Sequence, residues 1–533
     1  MELTLQIDAD ADLPLHQQIY DQLRDAILTG RVRSRQRLPA SRYLAQTLGV
    51  SRTTVTQSYD QLISEGYLET RPGAGTFVCS QLPDELLEAY VTPAEHASPP
   101  DDGPNHDNPN KTLSLSDLPL SAYGDRLTHT PDRIFKSSPE ISFTYGVPAL
   151  DQFPIKRWKQ LLNRRATLST DWMQYSPEPM GYGLLREQIA TYIGQVRAVR
   201  CQSEQILITN GTQQALSLIV RLLINAAHPL ATCVTAKNTT PPTPDCIAIE
   251  NPGYLSATQI FASSGAPLIP IPVDSGGLVI DGPKSLRSCS VTHAIKLVYV
   301  TPSHQFPTGV LMPLSRRLAL LQWAQENQAI IIEDDYDSEF RYSGRPTPAL
   351  QGLDSYGQVL YVGTFSKVMF PGLRLGYIVL PPALIPIFRR AKWLNNRQGT
   401  ILDQQALTDF IEKGDMAQHI RRMRNLYATR RQALIQGLSE AFAHLPDNTN
   451  TVKILGDESG LHIMAQLPLE QSDEQVIAKA KSQGVGMFSA QDQYWQQPEL
   501  TERKRGAFIF GFGNLSESDI REAMNRLQPV FRD

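Results

Sequence analysis

Lys367 closes the run Gly363-Thr364-Phe365-Ser366-Lys367, and Phe370-Pro371-Gly372-Leu373-Arg374-Leu375-Gly376 follows it. The run comes directly after the apolar stretch Val359 to Val362, which has the length and composition of a buried strand. Thr364, Ser366 and Arg374 surround the lysine in sequence. An amine can bond a carbonyl carbon covalently. Hydroxyls and a guanidinium fork can hold phosphate oxygens beside it. The combination suits a group that is bonded through an aldehyde and anchored through a phosphate.

Pyridoxal 5′-phosphate (PLP) is such a group, and other segments supply what it needs. Thr209-Asn210-Gly211-Thr212-Gln213 lies between a strand pattern (Gln205 to Thr209) and a helix pattern (Gln213 to Leu223). A glycine turn that opens a helix offers free N–H groups to an anion. Glu333-Asp334-Asp335-Tyr336-Asp337 ends the apolar run Ala329 to Ile332. One of these acids can keep a pyridine nitrogen protonated, and Tyr336 can reach a ring oxygen. The acidic run lacks the histidine pairing and glycine spacing of a metal site, and no metal is expected. Glu250-Asn251-Pro252-Gly253-Tyr254 places an aromatic ring after a tight turn, suited to stacking on the pyridine face.

These residues need a scaffold of strands and helices. From about residue 139 the sequence alternates short β-branched runs with helical patterns, which predicts an α/β domain with a largely parallel sheet. Gly506 to Gly513 and Ser516 to Leu527 read as a strand and a helix of a smaller C-terminal subdomain. Residues 231–246 interrupt the pattern with three prolines and five threonines and read as a surface loop. The chain has 533 residues, enough for two or three domains, and a net charge of −4. Such a chain is no polycation, so any nucleic-acid surface is local. Five scattered cysteines without CxxC pairs, the absence of a signal-peptide core and the absence of a long apolar run point to a cytoplasmic protein without membrane contact.

Charge is distributed unevenly at the N-terminus. Between Asp25 and Asp60 stand six arginines (Arg31, Arg33, Arg35, Arg37, Arg42 and Arg52) and no acid. Pro14 to Leu28 has amphipathic helical spacing. Ser41 reads as the N-cap of a second helix that stops at Gly49, and Ser51-Arg52-Thr53-Thr54-Val55 opens a third. This is helix–turn–helix spacing, with Arg52, Thr53 and Thr54 where such a helix meets base edges and phosphates. Two short strands around Arg71-Pro72-Gly73-Ala74-Gly75 make a wing. From Pro83 to Asp117 there are eight acids, one lysine and six prolines, a linker composition. The expected division is a DNA-binding domain at 1–80, a linker at 81–138 and a PLP-binding domain at 139–533.

The stretch Pro14 to Val78, with LPASRYLAQTLGVSRTTV and GAGTFV, resembles the GntR-type winged helix–turn–helix. That resemblance implies DNA contacts from Arg42, Ser51, Arg52, Thr53 and Thr54, with Gly73 and Gly75 in the wing. Ser34-Arg35 stands where the family usually has Pro-Gly. From about Ile141 onward the chain resembles a fold-type I, class I aminotransferase domain. Gly146, Tyr175 with Gly181, Asn251-Pro252-Gly253-Tyr254, Thr301-Pro302-Ser303-His304-Gln305-Phe306-Pro307-Thr308-Gly309 and the Lys367 segment carry the likeness. The whole is similar to a MocR-type regulator. The resemblance implies that Lys367 bonds PLP, Asp334 pairs with the ring nitrogen, Tyr336 reaches the ring oxygen and Tyr254 stacks. It gives the phosphate to Gly211, Thr212, Gln213, Thr364, Ser366 and Arg374, and has Tyr175 reach the phosphate of a partner subunit. Two departures bear on turnover. Phe306 replaces an asparagine of the enzymes, and the stretch Ala507 to Phe512 lacks the arginine that many of them use to grip a substrate carboxylate, with Arg503 and Arg505 as the candidate substitutes.

The expected function is a PLP-dependent transcriptional regulator. It acts as a homodimer on paired half-sites of double-stranded DNA and senses PLP, a small amine or an amino acid. The alternative is a working aminotransferase that carries a DNA-binding module.

Overall fold

The computed structural model describes residues 5–8, 11, 13–83, 115, 118–131, 139–225, 244–344, 347–443, 452–497 and 506–532. Most of the expected linker, residues 231–243 of the expected loop, and Arg503 and Arg505 lie outside the described residues. The chain divides into two units, Met1–Pro119 and Leu120–Asp533.

In the first unit, helices α1 (Leu15–Leu28), α2 (Ser41–Leu48) and α3 (Arg52–Ser64) precede an antiparallel hairpin of β1 (Leu68–Arg71) and β2 (Gly75–Val78). Apolar residues at helical spacing close one core: Ile19, Leu23 and Ile27 from α1, Leu44 from α2, Val55 and Leu62 from α3, and Val78 from the wing. Two hydroxyls lock the helices together. Ser58 on α3 donates to the His16 carbonyl at 2.7 Å, and Tyr59 donates to the Pro39 carbonyl at 2.9 Å. The turn between α2 and α3 is set by Gly49 at φ 66° and by Ser51, whose Oγ accepts the Thr54 N–H at 3.1 Å. Ser41 is not an N-cap. The Ala40 carbonyl accepts the Leu44 N–H, which draws Ser41 into the first helical turn and leaves Ala40 as the cap.

Ser34-Arg35 shows why a glycine suits its second position. Arg35 has φ 61°, in the left-handed region, and its N–H donates to the Val78 carbonyl at 3.0 Å. A side chain in that region costs about 1–2 kcal/mol, because its Cβ crowds the next carbonyl.

In the second unit, β3 (Ile141–Ser142) leads into an eight-stranded sheet. Its strands are β4 (Ile206–Thr209), β5 (Cys246–Asn251), β6 (Leu268–Asp274), β7 (Gly277–Leu278), β8 (Ile295–Val300), β9 (Ile330–Asp335), β10 (Val359–Thr364) and β11 (Gly376–Val379), in the order β4-β11-β10-β9-β8-β5-β6-β7. The run β10-β9-β8-β5-β6 is parallel, and β11 is antiparallel to both its neighbours. Helices cover both faces, so the central strands are buried almost throughout. Thr212–Leu223 packs one face, through Leu216, Ile219 and Val220 beside Phe261 and Phe388. Leu314–Asn327 packs the other, through Leu320 and Trp323.

The C-terminal part is a four-stranded antiparallel sheet of β12 (Lys453–Leu455), β13 (His462–Leu467), β15 (Phe488–Ser489) and β16 (Gly506–Gly511); the intervening β14 (Val485–Gly486) instead pairs with β3. The long helix Asp415–Ala441 and the last helix, Glu517–Arg532, share a core with this sheet, including Leu434, Leu438, Leu527 and Phe531. Residues Ala122–Thr128, expected within the linker, form a short helix of the second unit, where Arg126 donates to the Ser263 carbonyl at 2.8 Å. No helix among the described residues is long and apolar enough to cross a membrane.

The Arg35 conformation gives a direct expectation. Arg35→Gly should raise the stability of the first unit by about 1 kcal/mol, read as a shifted urea midpoint in the full chain. An unchanged or lowered midpoint would contradict the strain.

Candidate functional site

The sheet brings its strand ends to one edge. Thr364 of β10 pairs with Gly376 of β11, and Gly376 pairs with Thr209 of β4, so three chain segments meet in one row. Gly211 follows at φ 93° and opens the helix Thr212–Leu223. A Cβ on Gly376 would lie 3.0 Å from the Gly211 Cα, so the close approach of the two loops depends on glycine. Arg374 caps the row from above, donating to the Asn210 carbonyl at 2.7 Å, and its guanidinium sits directly against Gly211. Thr364 Oγ1 donates to Ser366 Oγ at 3.1 Å and accepts the Ser366 N–H at 3.2 Å. The structure therefore brings Gly211, Thr212, Thr364, Ser366 and Arg374 to one place. Gln213, in the first turn of the helix, is exposed.

Lys367 hangs below this row. Its Nζ donates to the Gly146 carbonyl at 2.6 Å. Burial pulls the amine below the ordinary lysine value, partly offset by the carboxylates of Asp337 and Asp334. The acids of β9 divide by strand alternation. Glu333 and Asp335 turn to structural partners. Glu333 accepts the Leu350 and Gln351 N–H groups, each at 2.8 Å. Asp335 accepts Arg197 Nε at 2.8 Å and the Tyr361 hydroxyl at 2.7 Å. Asp334 turns the other way. Its Oδ2 accepts the Tyr299 hydroxyl at 2.7 Å, and its buried Oδ1 has no partner. Burial pushes its carboxyl up to about 7.

Tyr254 and Tyr336 flank the same space, both within 6.4 Å of the Phe306 ring. The Tyr336 hydroxyl donates to the His304 carbonyl at 2.9 Å. Tyr175 stands on the surface, 73% exposed, with the Arg397 guanidinium 3.7 Å above its ring.

Several polar groups of this region were not singled out from sequence. Glu250 at the end of β5 accepts Thr301 Oγ1 at 2.7 Å and Gln305 Nε2 at 3.2 Å, leaves Oε1 unpartnered, and is pushed by burial up to about 7. His304, Asp337 and His462 bring ligand-type atoms within 4.8 Å of one another. Hydrogen bonds account for that grouping: His304 Nδ1 lies 3.0 Å from Asp337 Oδ1, and His462 Nε2 donates to the Pro307 carbonyl at 3.1 Å. His304 was visible inside its Pro-Ser-His-Gln motif. Glu250 and His462 carried no local signal, because their neighbours come from distant strands.

In the first unit, Arg42, Ser51, Arg52, Thr53 and Gly73 are exposed, and Thr54 and Gly75 are half-buried. Arg31, Arg33, Arg35 and Arg37 are exposed too. Gly75 packs on Arg37, whose Nε would lie 2.9 Å from a Cβ at that position.

Residues 138–504 match the sequence pattern of aminotransferases of class I and II, and residues 15–78 that of bacterial regulatory proteins of the gntR family. The chain is 36% identical over 527 residues to the probable rhizopine catabolism regulatory protein MocR of Rhizobium meliloti, covering 99% of this chain and 96% of that one. The chain belongs to the MocR-type branch of the GntR regulators. A second member, the pyridoxine biosynthesis transcriptional regulator PdxR of Corynebacterium glutamicum, is 30% identical over 95% of this chain and 93% of its own length. Among solved structures, the kynurenine aminotransferase of Pyrococcus horikoshii, crystallised in complex with PMP, superposes with a TM-score of 0.63 at 28% identity, over 79% of this chain and 96% of that one. This MocR-type chain is thus a DNA-binding transcriptional regulator with a fold-type I aminotransferase domain, and PLP is the cofactor of that domain. The site suits PLP: a buried carboxylate oxygen without a donor, an amine of lowered basicity and a glycine-lined helix start lie together.

Asp334 makes the protein sensitive to pH. A carboxyl whose folded value lies above its unfolded one binds more protons when folded, so it loses stability as pH rises between the two. For Asp334 that window runs from 3.8 to about 7. In the cofactor-free protein, Asp334→Asn should gain stability relative to wild type across this window, measured by urea unfolding at a series of pH values. A difference that does not vary with pH would refute the assignment.

Proposed function

We propose that this regulator reads a small amine or amino compound at Lys367 and changes its hold on DNA in response. The carrying observation is the pairing of Lys367, a buried amine of lowered basicity, with Asp334, whose free Oδ1 needs a donor, in a chain that also exposes a recognition helix. In this reading Lys367 Nζ is the nucleophile toward the cofactor aldehyde. Asp334 Oδ1 accepts from the ring nitrogen, Tyr336 serves the ring oxygen and Tyr254 covers the ring face. Gly211, Thr212, Gln213, Thr364, Ser366 and Arg374 hold the phosphate. Bound there, PLP supplies an aldehyde that can exchange one amine for another. Tyr175, exposed in a single chain, reaches the phosphate of the partner subunit in a homodimer.

Arg42, Ser51, Arg52, Thr53 and Thr54 meet DNA from α2 and the start of α3, with Gly73 and Gly75 in the wing. Two heads of a dimer read paired half-sites in the cytoplasm. A ligand shifts the DNA-binding state only by binding the two states unequally, and the segment at about 81–138 carries that shift to the heads. Turnover is the second reading, favoured by the likeness of the large domain to working aminotransferases. Multiple cycles with common amino donors and 2-oxo acids would establish it.

Lys367→Ala separates these roles. With duplex DNA taken from the flank of its own gene, the variant should bind as wild type does but lose the response to PLP and amines; an unchanged response would overturn the covalent sensor. Arg52→Ala should weaken DNA binding by about tenfold and lower the salt slope by about one. Unaltered affinity and slope would remove α3 from the interface.

A further inference from the structure

The wall of the Lys367 pocket narrows the choice of amine, given the sensing role proposed above. Gly146, which accepts from Lys367, directly follows Tyr145. The Tyr145 ring lies 5.4 Å from Phe306, which is 5.8 Å from Tyr254 and 5.3 Å from His462. Phe306 belongs to a buried apolar cluster with Met464 of β13 and Ile509 of β16.

The position of Ile509 follows from the ladder. A Cβ on Gly511 would lie 2.5 Å from the Tyr145 Cα, so the end of β16 rests against the segment leading to Gly146. Ile509, two residues earlier, faces the same side of the sheet. Its ladder neighbours are Met464 and Phe488. The aminotransferases that this domain resembles often carry a carboxylate-gripping arginine in this stretch, and here the stretch is apolar and fully buried. His462 offers no charge in its place. Its Nε2 donates to a carbonyl, which leaves Nδ1 as an acceptor, and burial keeps the ring neutral by lowering it well below the ordinary value. Among the described residues, the charged groups around the pocket include the carboxylates of Asp334, Asp337 and Glu250, the amine of Lys367 and, on the Gly211 side, the Arg374 guanidinium.

We propose that the pocket recognises a primary amine whose remaining body is uncharged, apolar or hydroxyl-bearing, and that it rejects amino acids. A carboxylate placed against Phe306, Met464 and Ile509 would lose its water and meet no cationic side chain in that apolar cluster, and buried unpaired charge is strongly unfavourable. A neutral body gains from the aromatic and aliphatic wall. A hydroxyl can donate to His462 Nδ1.

The test uses the PLP-loaded full chain and pairs of compounds that differ only by the carboxylate: 2-aminoethanol against serine, and 2-phenylethylamine against phenylalanine. Binding is followed by the change in absorbance of the bound cofactor. At least one amine should bind about tenfold or more tightly than its amino acid, a preference of about 1.4 kcal/mol. Ile509→Arg should shrink or reverse the ratio, provided the variant still takes up PLP. Wild-type binding of both amino acids as tightly as of their amines would overturn the proposal, as would the absence of any spectral response to all four compounds. A wild-type amine preference stands as support whether or not the Ile509 variant folds. DNA binding measured in the same titrations separates the two proposals: amine preference without any change in DNA affinity sustains this inference and removes the sensing role.

Discussion

Four buried carboxylates at the ends of β5 and β9, two strands of one sheet with β8 between them, set the terms for the large domain. Glu250, Glu333, Asp334 and Asp335 are each at most 7% exposed, and a buried charge needs partners or a proton. Glu333 and Asp335 receive theirs from the fold itself: two backbone N–H groups for one, and Arg197 with Tyr361 for the other. Burial alone would raise Asp335, but Arg197 and its neighbours outweigh this and hold the carboxyl below its ordinary value. Asp334 is left with one tyrosine and an open oxygen. Strand alternation is what separates the two outcomes, since residues on one side of β9 meet the packed loop at Leu350 and the residue on the other side meets the pocket.

The same logic explains how loops far apart in sequence close one site. The row Thr364–Gly376–Thr209 puts two hydroxyl-bearing strand ends on either side of a glycine, and that glycine admits the Gly211 turn. Arg374 bonds the backbone of the turn, so the guanidinium is positioned by the feature it helps to form. On the opposite side, the C-terminal sheet supplies His462 and Ile509 and so determines what can sit beyond the lysine.

The DNA-binding unit shows a different balance. Most of its architecture follows from local rules: helical spacing of Ile19, Leu23 and Ile27, a left-handed Gly49, and Ser51 as a cap. Two details escaped those rules. Ser41 looks like a cap in sequence but lies inside its helix, because the Ala40 carbonyl reaches the Leu44 N–H. Arg35 occupies a backbone conformation that glycine adopts more easily, and the hydrogen bond to Val78 holds it there.

Local chemistry made the Lys367 segment, the Gly211 turn and the helix–turn–helix legible, because each is a short run whose residue types have one economical use together. The α/β class was legible as well, since buried parallel strands need continuous apolar runs. Sequence could name an acidic run at Glu333 to Asp337 but could not tell by residue type which acid was free, as that depends on the face of β9 each one takes. It could note a missing arginine near Ala507 but not that Ile509, Met464 and Phe306 close the gap. Those facts required tertiary structure, because they rest on contacts between segments apart in the chain, from 17 residues for Glu333 and Leu350 to 138 for Arg197 and Asp335.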